Sequence, residues 1–362
     1  MKSAPRPREC LLKTDLTRPD WTRDSGRDPN LIWLDKNENT DPQMMELTKS
    51  IMASIPKEAL YTYPNIYPLY EKISKYTKLP MSQHLITAGS DGVIRHVFEA
   101  FINQGDKVLY TSPTFAMYSV YCKIFGAQEM KLEYKKGDNG PVLELETILE
   151  SLRQFKPKLF CLPNPDSPTG TVFSLNEIKS IAEVAEQLNT IVLIDEAYFE
   201  FYQTSAAPLI SQYNNIIIAR TFAKGWGLAG LRIGYALASH EITQYLHKIR
   251  PMYEVNTFAV YFMIKMMDYE EEMWKSVKRL NDGKCYFKNA MQKMGFKTLE
   301  THGNFQHISF GDKADRIHQN LSKVVLYRNN FSEECLKGFS RFSAATKEIY
   351  SVIIPHIERA LL

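Results

Sequence analysis

The sequence predicts an α/β protein with a large domain on a mostly parallel sheet and a smaller α+β domain towards the C-terminus. Three observations carry this. Between residues 84 and 237, short apolar runs alternate with helical patterns, which feeds a parallel sheet through right-handed crossovers. Turns dense in Gly, Pro, Asp and Ser follow the runs, at 89–92, 163–170 and 195–198, and ligand sites in open α/β sheets gather at strand carboxyl ends. Near residues 245–255 the pattern changes to a long helical stretch, 257–294, followed by short strands. The expected division is an N-terminal arm (1–30), a segment joining the small domain (31–50), the large domain (51–250) and the small domain (251–362).

Composition narrows the classes. At 362 residues and 44% hydrophobic, the chain can fill two cores. A net charge of +3 gives no case for a nucleic-acid surface. Five cysteines lie scattered with no Cys-x-x-Cys, which reads as reduced thiols in a cytosolic protein. The eight histidines show no metal-ligand spacing, so no metal is expected. No apolar run approaches the roughly 18–20 residues of a membrane span. Leu11 and Leu12 are followed at once by polar residues, unlike a signal peptide, so a cytoplasmic protein without a membrane partner is expected.

In chain order, residues 1–30 are rich in Arg, Pro and Asp without periodicity and read as a mobile arm. Leu31–Leu34 is an apolar patch leading into Asp35-Lys-Asn-Glu-Asn-Thr40, a turn composition. Residues 43–56 read as a helix ending near Pro56. Tyr61–Pro68 is an aromatic, proline-rich loop. His84–Ala88 is a strand, and Gly89-Ser-Asp-Gly92 opens an amphipathic helix with Val93, Val97, Phe98 and Phe101 on one face. Two readings fit that turn: an N-cap by Ser90 or Asp91, or an anion site at the helix N-terminus. Lys107–Thr111 and Lys158–Leu162 are further strands, the second ending in the breaker-rich Pro163–Gly170. Ser174-Leu-Asn-Glu177 is a capping box for a helix with apolar residues at 178, 181, 182, 185 and 188. Ile191–Ile194 is a buried strand with Asp195 at its end, where a carboxylate is costly unless paired. In the small domain, Gly303–Phe310, Val324–Arg328 and Ser340–Ala344 read as strands, with Arg328 and Arg341 at strand ends.

The stretch Arg220-Thr-Phe-Ala-Lys-Gly-Trp-Gly-Leu-Ala-Gly-Leu-Arg-Ile-Gly-Tyr235 sets Lys224 just after the apolar run Ile216–Ala219, with Arg232 following. Glycines at 225, 227 and 230 let a backbone approach a ligand closely. An amine short of solvent beside other cations is a nucleophile towards carbonyls, as a Schiff base with pyridoxal phosphate requires. The stretch resembles the lysine segment of class I and II aminotransferases of fold type I, usually Ser-Lys before Gly-Leu-Ala-Gly-x-Arg-x-Gly. Within them it is most similar to the histidinol-phosphate aminotransferase branch.

The resemblance covers most of the chain and implies a pyridoxal-phosphate aminotransferase with Lys224 as the catalytic residue. Asp195 would face the ring nitrogen, Phe115 would stack on the ring and Tyr198 would meet its phenolic oxygen. Ser90, Asp91, Arg232 and Thr221 would hold the phosphate. Tyr63 would reach the phosphate of a partner subunit, implying a homodimer with composite sites. Asn37 and Glu38 match a segment that covers the active site, with Asn37 near the substrate. Arg341, with Arg328, would grip the amino donor's carboxylate and a substrate phosphate. Glutamate is the implied donor, and the acceptor is a small, phosphorylated molecule.

The sequence departs from the pattern in three places. Ser167 stands where the motif has an asparagine that contacts the phenolic oxygen, and it offers one rotatable hydroxyl in place of an amide. Ala223 replaces a serine that bonds the phosphate, and Thr221, Ser90 and the partner's Tyr63 are the expected compensation. Glu254 replaces an asparagine and could meet a substrate amine or hydroxyl, or pair with Arg250. Two other functions use much the same residues: a decarboxylase of a phospho-amino acid, and an inactive cofactor-binding scaffold.

Overall fold

The computed structural model describes residues 5–12, 15, 16, 22 and 26–362. Its centre is a seven-stranded sheet of β1 (His84–Thr87), β2 (Lys107–Ser112), β3 (Gln128–Glu133), β4 (Leu159–Pro163), β5 (Ile191–Asp195), β6 (Ile216–Thr221) and β7 (Gly234–Ala238). The strand order is β1-β7-β6-β5-β4-β2-β3. All pairings are parallel except those of β7, which runs antiparallel to β1 and β6. Strands β4, β5 and β6 are buried at every position. The pleat sends Val192 and Ile194 into one core cluster and Ile191 and Leu193 into another. A strand covered on both faces has no polar side to show, which is why these read as unbroken apolar runs.

Helices cover both faces. The helix Ser90–Phe101 packs Val93, Ile94, Val97 and Phe98 on one side. Leu175–Gln187 packs Ile178, Ile181, Ala182 and Ala185 on the other, and its Ser174–Glu177 capping box is present. The expected long helix is two, Thr257–Met266 and Glu270–Lys293, joined by a short turn of 3-10 helix. Their residues from Ala259 to Val277 pack under the large sheet, whereas Phe287 and Met291 join the C-terminal core. The second helix thus spans both bodies. The C-terminal core lies on a three-stranded antiparallel sheet of β8 (Lys297–Thr298), β9 (Phe305–Ser309) and β10 (Ser340–Ser343). Ile32–Trp33 pairs in parallel with Val325–Leu326, tying the segment after the arm to this body.

Elements not expected from the sequence include β3, the two-residue ladder Lys135–Lys136 with Pro141–Val142, β7, and the helices Tyr67–Thr77, Met117–Phe125, Leu145–Phe155, His240–Ile249, Ala314–Leu321 and Lys347–Arg359. The mobile-arm expectation falls partly on residues 1–4, 13, 14, 17–21 and 23–25, which lie outside the described residues. Of the described arm, Glu9–Leu12 forms a turn of 3-10 helix, with Cys10 Sγ on the Ile124 carbonyl at 3.2 Å. Lys123 pairs with Asp15 at 3.2 Å. Among the described residues no helix is long and apolar enough to cross a membrane.

Candidate active site

The sheet register brings the motif turns together. Asp195 ends β5 beside Pro163 of β4 and Ala219 of β6. Lys224 follows β6, and the turn after β1 is carried next to it by β7. One cavity opens at these strand ends, lined by Lys224, Asp195, Tyr198, Thr221 and Arg232, together with Ser90, Asp91, Phe115 and Ser167.

Lys224 Nζ donates to the carbonyls of Lys36 at 2.9 Å and Asn37 at 3.1 Å. Its neighbour Gly225 cannot be larger, since an added Cβ would stand 2.6 Å from Glu200 Cβ. Asn37 holds a left-handed backbone, φ 56. It is fixed there by bonds from its N–H to Ser343 Oγ (2.8 Å) and from Asn304 Nδ2 to its carbonyl (2.8 Å). Its own Nδ2 donates to the Tyr198 hydroxyl at 2.9 Å, so the Asn37 side chain is spent on Tyr198 and is buried.

Asp195 is 6% exposed. Its oxygens accept from the Tyr118 hydroxyl and the Ala197 amide, both at 3.1 Å. Among the described residues no lysine or arginine pairs with it. Burial pushes its carboxyl up to about 7, against the pull of those two donors. Phe115, at the cavity edge, meets Tyr118 edge-on.

The N-cap position before the helix Ser90–Phe101 falls on Gly89, φ 81, which has no side chain to cap with. Ser90 and Asp91 begin the helix and line the cavity; Asp91 Oδ1 accepts from Tyr121 at 3.1 Å. Arg232, itself left-handed at φ 53, donates from Nη2 to the Ala88 carbonyl at 3.3 Å. A Cβ on Gly89 would lie 2.8 Å from that Nη2, so the glycine admits the guanidinium. Thr221 Oγ1 accepts from the Ala223 amide at 3.2 Å.

Arg341 is 8% exposed, and among the described residues its guanidinium meets only neutral acceptors: the Asp35 carbonyl at 2.9 Å and Ser167 Oγ at 3.4 Å. Ser167 therefore faces the arginine as well as the cavity. Arg328 is the cross-strand neighbour of Arg341, exchanging backbone bonds of 3.1 and 2.7 Å. Its side chain lies over Phe331 and 3.7 Å from Glu333, outside the cavity lining. Tyr63 is also outside, 78% exposed and stacked on Tyr253 at 4.4 Å.

Sequence reasoning gave no role to two buried acids, Glu196 and Asp166, and expected other partners for a third, Glu254. Glu196 pairs with Arg220 at 2.9 Å and also holds Ser205 and the Ala206 amide. Asp166 accepts from Thr111, Thr114 and Tyr134 at 2.7, 2.7 and 3.0 Å, tying the 163–170 loop to the segment carrying Phe115. Glu254 pairs with His96 at 3.4 Å, and not with Arg250, whose guanidinium bonds the carbonyls of Pro251 and Met252. The turn places His96 beneath Glu254, while Arg250 faces solvent. Charged residues flanking apolar strands, as Glu196 and Arg220 do, were the available signal.

The set fits pyridoxal phosphate. An amine stands at one wall, and a buried acid without a cationic partner stands where a protonated ring nitrogen would satisfy it. A helix N-terminus beside a guanidinium suits a phosphate, and Phe115 offers a flat apolar face.

Comparison with known proteins agrees with this geometry. The family model described as aminotransferase class I and II matches residues 29–352. The histidinol-phosphate aminotransferase of Thermoanaerobacter sp. (strain X514) is 32% identical, over 91% of this chain and 93% of that protein. The fold is shared with the histidinol-phosphate aminotransferase of Sinorhizobium meliloti, solved in complex with pyridoxal-5'-phosphate, at a TM-score of 0.78 and 19% identity over 91% of this chain and 90% of that one. It is shared too with the Clostridium acetobutylicum histidinol-phosphate aminotransferase, at a TM-score of 0.78 and 20% identity over 91% and 98% of the two chains.

Proposed function

This chain belongs to the class I and II aminotransferases, enzymes of fold type I that use pyridoxal phosphate, and we propose that it moves an amino group between glutamate and a small phosphorylated carbonyl or amine. The observation that carries the substrate reading is Arg341. A guanidinium buried with neutral acceptors alone among the described residues is short of an anion, and it stands behind Ser167, which lines the cavity that holds Lys224. Arg328 adds a second cation one strand away. Relatives named histidinol-phosphate aminotransferases support a substrate that carries a phosphate.

Bound pyridoxal phosphate supplies an electron-poor ring that stabilises negative charge at the substrate's reacting carbon. Lys224 carries the cofactor and, when free, takes and returns the substrate proton as base and acid. The Lys36 and Asn37 carbonyls hold its amine on the cavity side. Asp195 would face the ring nitrogen and hold its proton through a charge-assisted bond, which the low-dielectric surroundings strengthen. The Ser90 hydroxyl, the backbone amides of Ser90 and Asp91, Thr221 and Arg232 would hold the phosphate. Tyr198, oriented by Asn37, donates to the phenolic oxygen. Arg341 clamps the donor carboxylate through two parallel N–H bonds, and Arg328 reaches the substrate phosphate only by swinging in from Phe331 and Glu333.

The working unit in this reading is a cytoplasmic homodimer in which Tyr63 completes the partner's phosphate site. Each chain has a large cofactor-binding domain and a small C-terminal one. The test is a half-reaction screen on the cofactor-loaded protein. Glutamate should yield 2-oxoglutarate and pyridoxamine phosphate, and histidinol phosphate, itself an amine, should likewise convert the pyridoxal form to pyridoxamine phosphate while becoming its ketone; the pyridoxamine form should pass the amine back to that ketone. Release of CO2 from a phospho-amino acid without amino transfer, or no conversion at all, would overturn the proposal.

A further inference from the structure

The turn that receives the cofactor phosphate is held from below by two groups that the reaction does not use. The Ala88 amide, at its start, donates to Glu254 Oε1 at 3.3 Å. Glu254 Oε2 stands 3.4 Å from His96 Nε2, an ion-pair contact off the line of a good hydrogen bond. His96 Nδ1 stands 2.6 Å from the Gly92 carbonyl, at the end of the turn. The chain of contacts is closed from residue 88 to residue 92 through two side chains that are 5% and 9% exposed. Both ring nitrogens of His96 face oxygen acceptors, a carbonyl and a carboxylate, and both contacts are satisfied only if each nitrogen carries a hydrogen. The geometry therefore calls for the imidazolium.

We propose that His96 and Glu254 form a proton-dependent bracket that presets the 88–92 turn, which makes them positioning residues for the cofactor phosphate. The inference rests on the reading of Ser90 and its turn as the phosphate holder. The charge balance explains why the proton matters. An acid directly beneath an anion site repels the anion unless a cation neutralises it, and His96 is that cation. Loss of its proton removes one bracket bond and leaves Glu254 uncompensated below the turn. The other charged and titratable groups here are Glu99 on the same helix as His96, Arg95 beside Glu254, and Tyr70, with Arg250 near it. Burial would lower the His96 pKa, but Glu254 and the Gly92 carbonyl outweigh it and hold it above its ordinary 6.5. A raised histidine pKa gives a contribution that is whole below that value and lost as pH rises through the folded one.

The test is the dissociation constant of pyridoxal phosphate, titrated by fluorescence on the cofactor-free full chain from about pH 6 to about pH 9. Wild-type affinity should weaken about tenfold as His96 loses its proton. In E254Q the amide oxygen still accepts from Ala88, and the amide N–H can donate to a neutral His96, so the bracket closes without the extra proton. That variant should bind tightly and lose the difference in pH profile. E254A should bind about tenfold more weakly throughout. Nitrogen chemical shifts of the His96 ring in the cofactor-free protein should show both nitrogens protonated at neutral pH in wild type and one in E254Q. Parallel profiles for wild type and E254Q, or a neutral His96 in wild type, overturn the bracket. A Ser90→Ala variant that leaves the affinity unchanged would overturn both the bracket and the assignment of the turn.

Discussion

A carboxyl group buried at the lining of a cavity and a guanidinium buried behind it both cost free energy in the empty protein, and that cost can be measured. For Asp195 the folded pKa stands at about 7 against 3.8 when solvated, a raised value. Its contribution to stability is therefore whole below 3.8 and lost as pH rises through about 7. Cofactor-free D195N should then be more thermally stable than wild type near about pH 8, with the difference vanishing towards about pH 4. The same variant, loaded with cofactor, should lose about 10²-fold or more in turnover, because an amide does not hold the ring-nitrogen proton electrostatically. For Arg341 the informative change is R341K. It keeps the charge and loses the fork, so KM for carboxylate donors should rise about tenfold or more, with a smaller effect on turnover. An unchanged KM would remove Arg341 from substrate binding. Asp195 was visible in the sequence because an apolar run ends at it, and Lys224 and Arg341 because their motif surroundings and spacing match those of the class I and II aminotransferases. The partners of Glu196, Asp166 and Glu254 were not, since each lies on a different element and only the fold brings it near.

At the scale of elements, the segment Asp35–Asp41 positions the lysine, and it does so through atoms that no motif names. Its carbonyls take the Lys224 amine, its Asn37 turns Tyr198, and Asn39 Nδ2 donates to the Gly225 carbonyl at 3.0 Å. Asp41 caps the helix Pro42–Ala53 and pairs with Arg279 at 2.6 Å, fixing the far end. The lysine loop is pressed between this segment and Glu200, so G225A would force a Cβ to 2.6 Å from the Glu200 side chain. Overpacking of this kind costs about 1–3 kcal/mol. The expected outcome is a modest drop in melting temperature and a large drop in turnover, while cofactor affinity, carried mainly by the phosphate turn, changes little. Equal losses in all three would mean that the loop does not act on the lysine separately. The parallel strands were legible because burial on both faces writes an apolar run of the right length. Strand β3 was not, because only Leu132 of its six residues is buried at the sheet edge. Strand β7 was not because its glycine, alanines, tyrosine and leucine carry no strand-like alternation, although all five are buried. Its antiparallel direction comes from the short return after the lysine loop, which sets Gly234 beside both Thr221 and Thr87.

At the scale of the whole molecule, one chain leaves part of the proposed machinery facing outwards. Leu60 is 79% exposed, Tyr63 78% and Met252 80%, and Tyr63 stacks on Tyr253, which precedes the Glu254 of the phosphate-turn bracket. Exposed aromatic and aliphatic side chains of this kind mark a contact surface, and in the proposed homodimer they lie at the partner's site. The arrangement predicts complementation between two defective chains. A Tyr63→Ala chain keeps its own Lys224, and a K224A chain keeps its own Tyr63. In a mixed dimer the site built on the intact lysine receives the intact tyrosine, and the other site has neither. Random pairing of equal amounts gives mixed dimers in half of the population, with one working site each, so activity should return to about a quarter of the wild-type value. Neither homodimer alone should approach that level if Tyr63 matters to the partner. If Tyr63 instead serves its own chain, every lysine-bearing site in the mixture lacks its tyrosine, and mixing restores nothing. Sedimentation of the mixture and of each parent separates that outcome from a failure to exchange subunits.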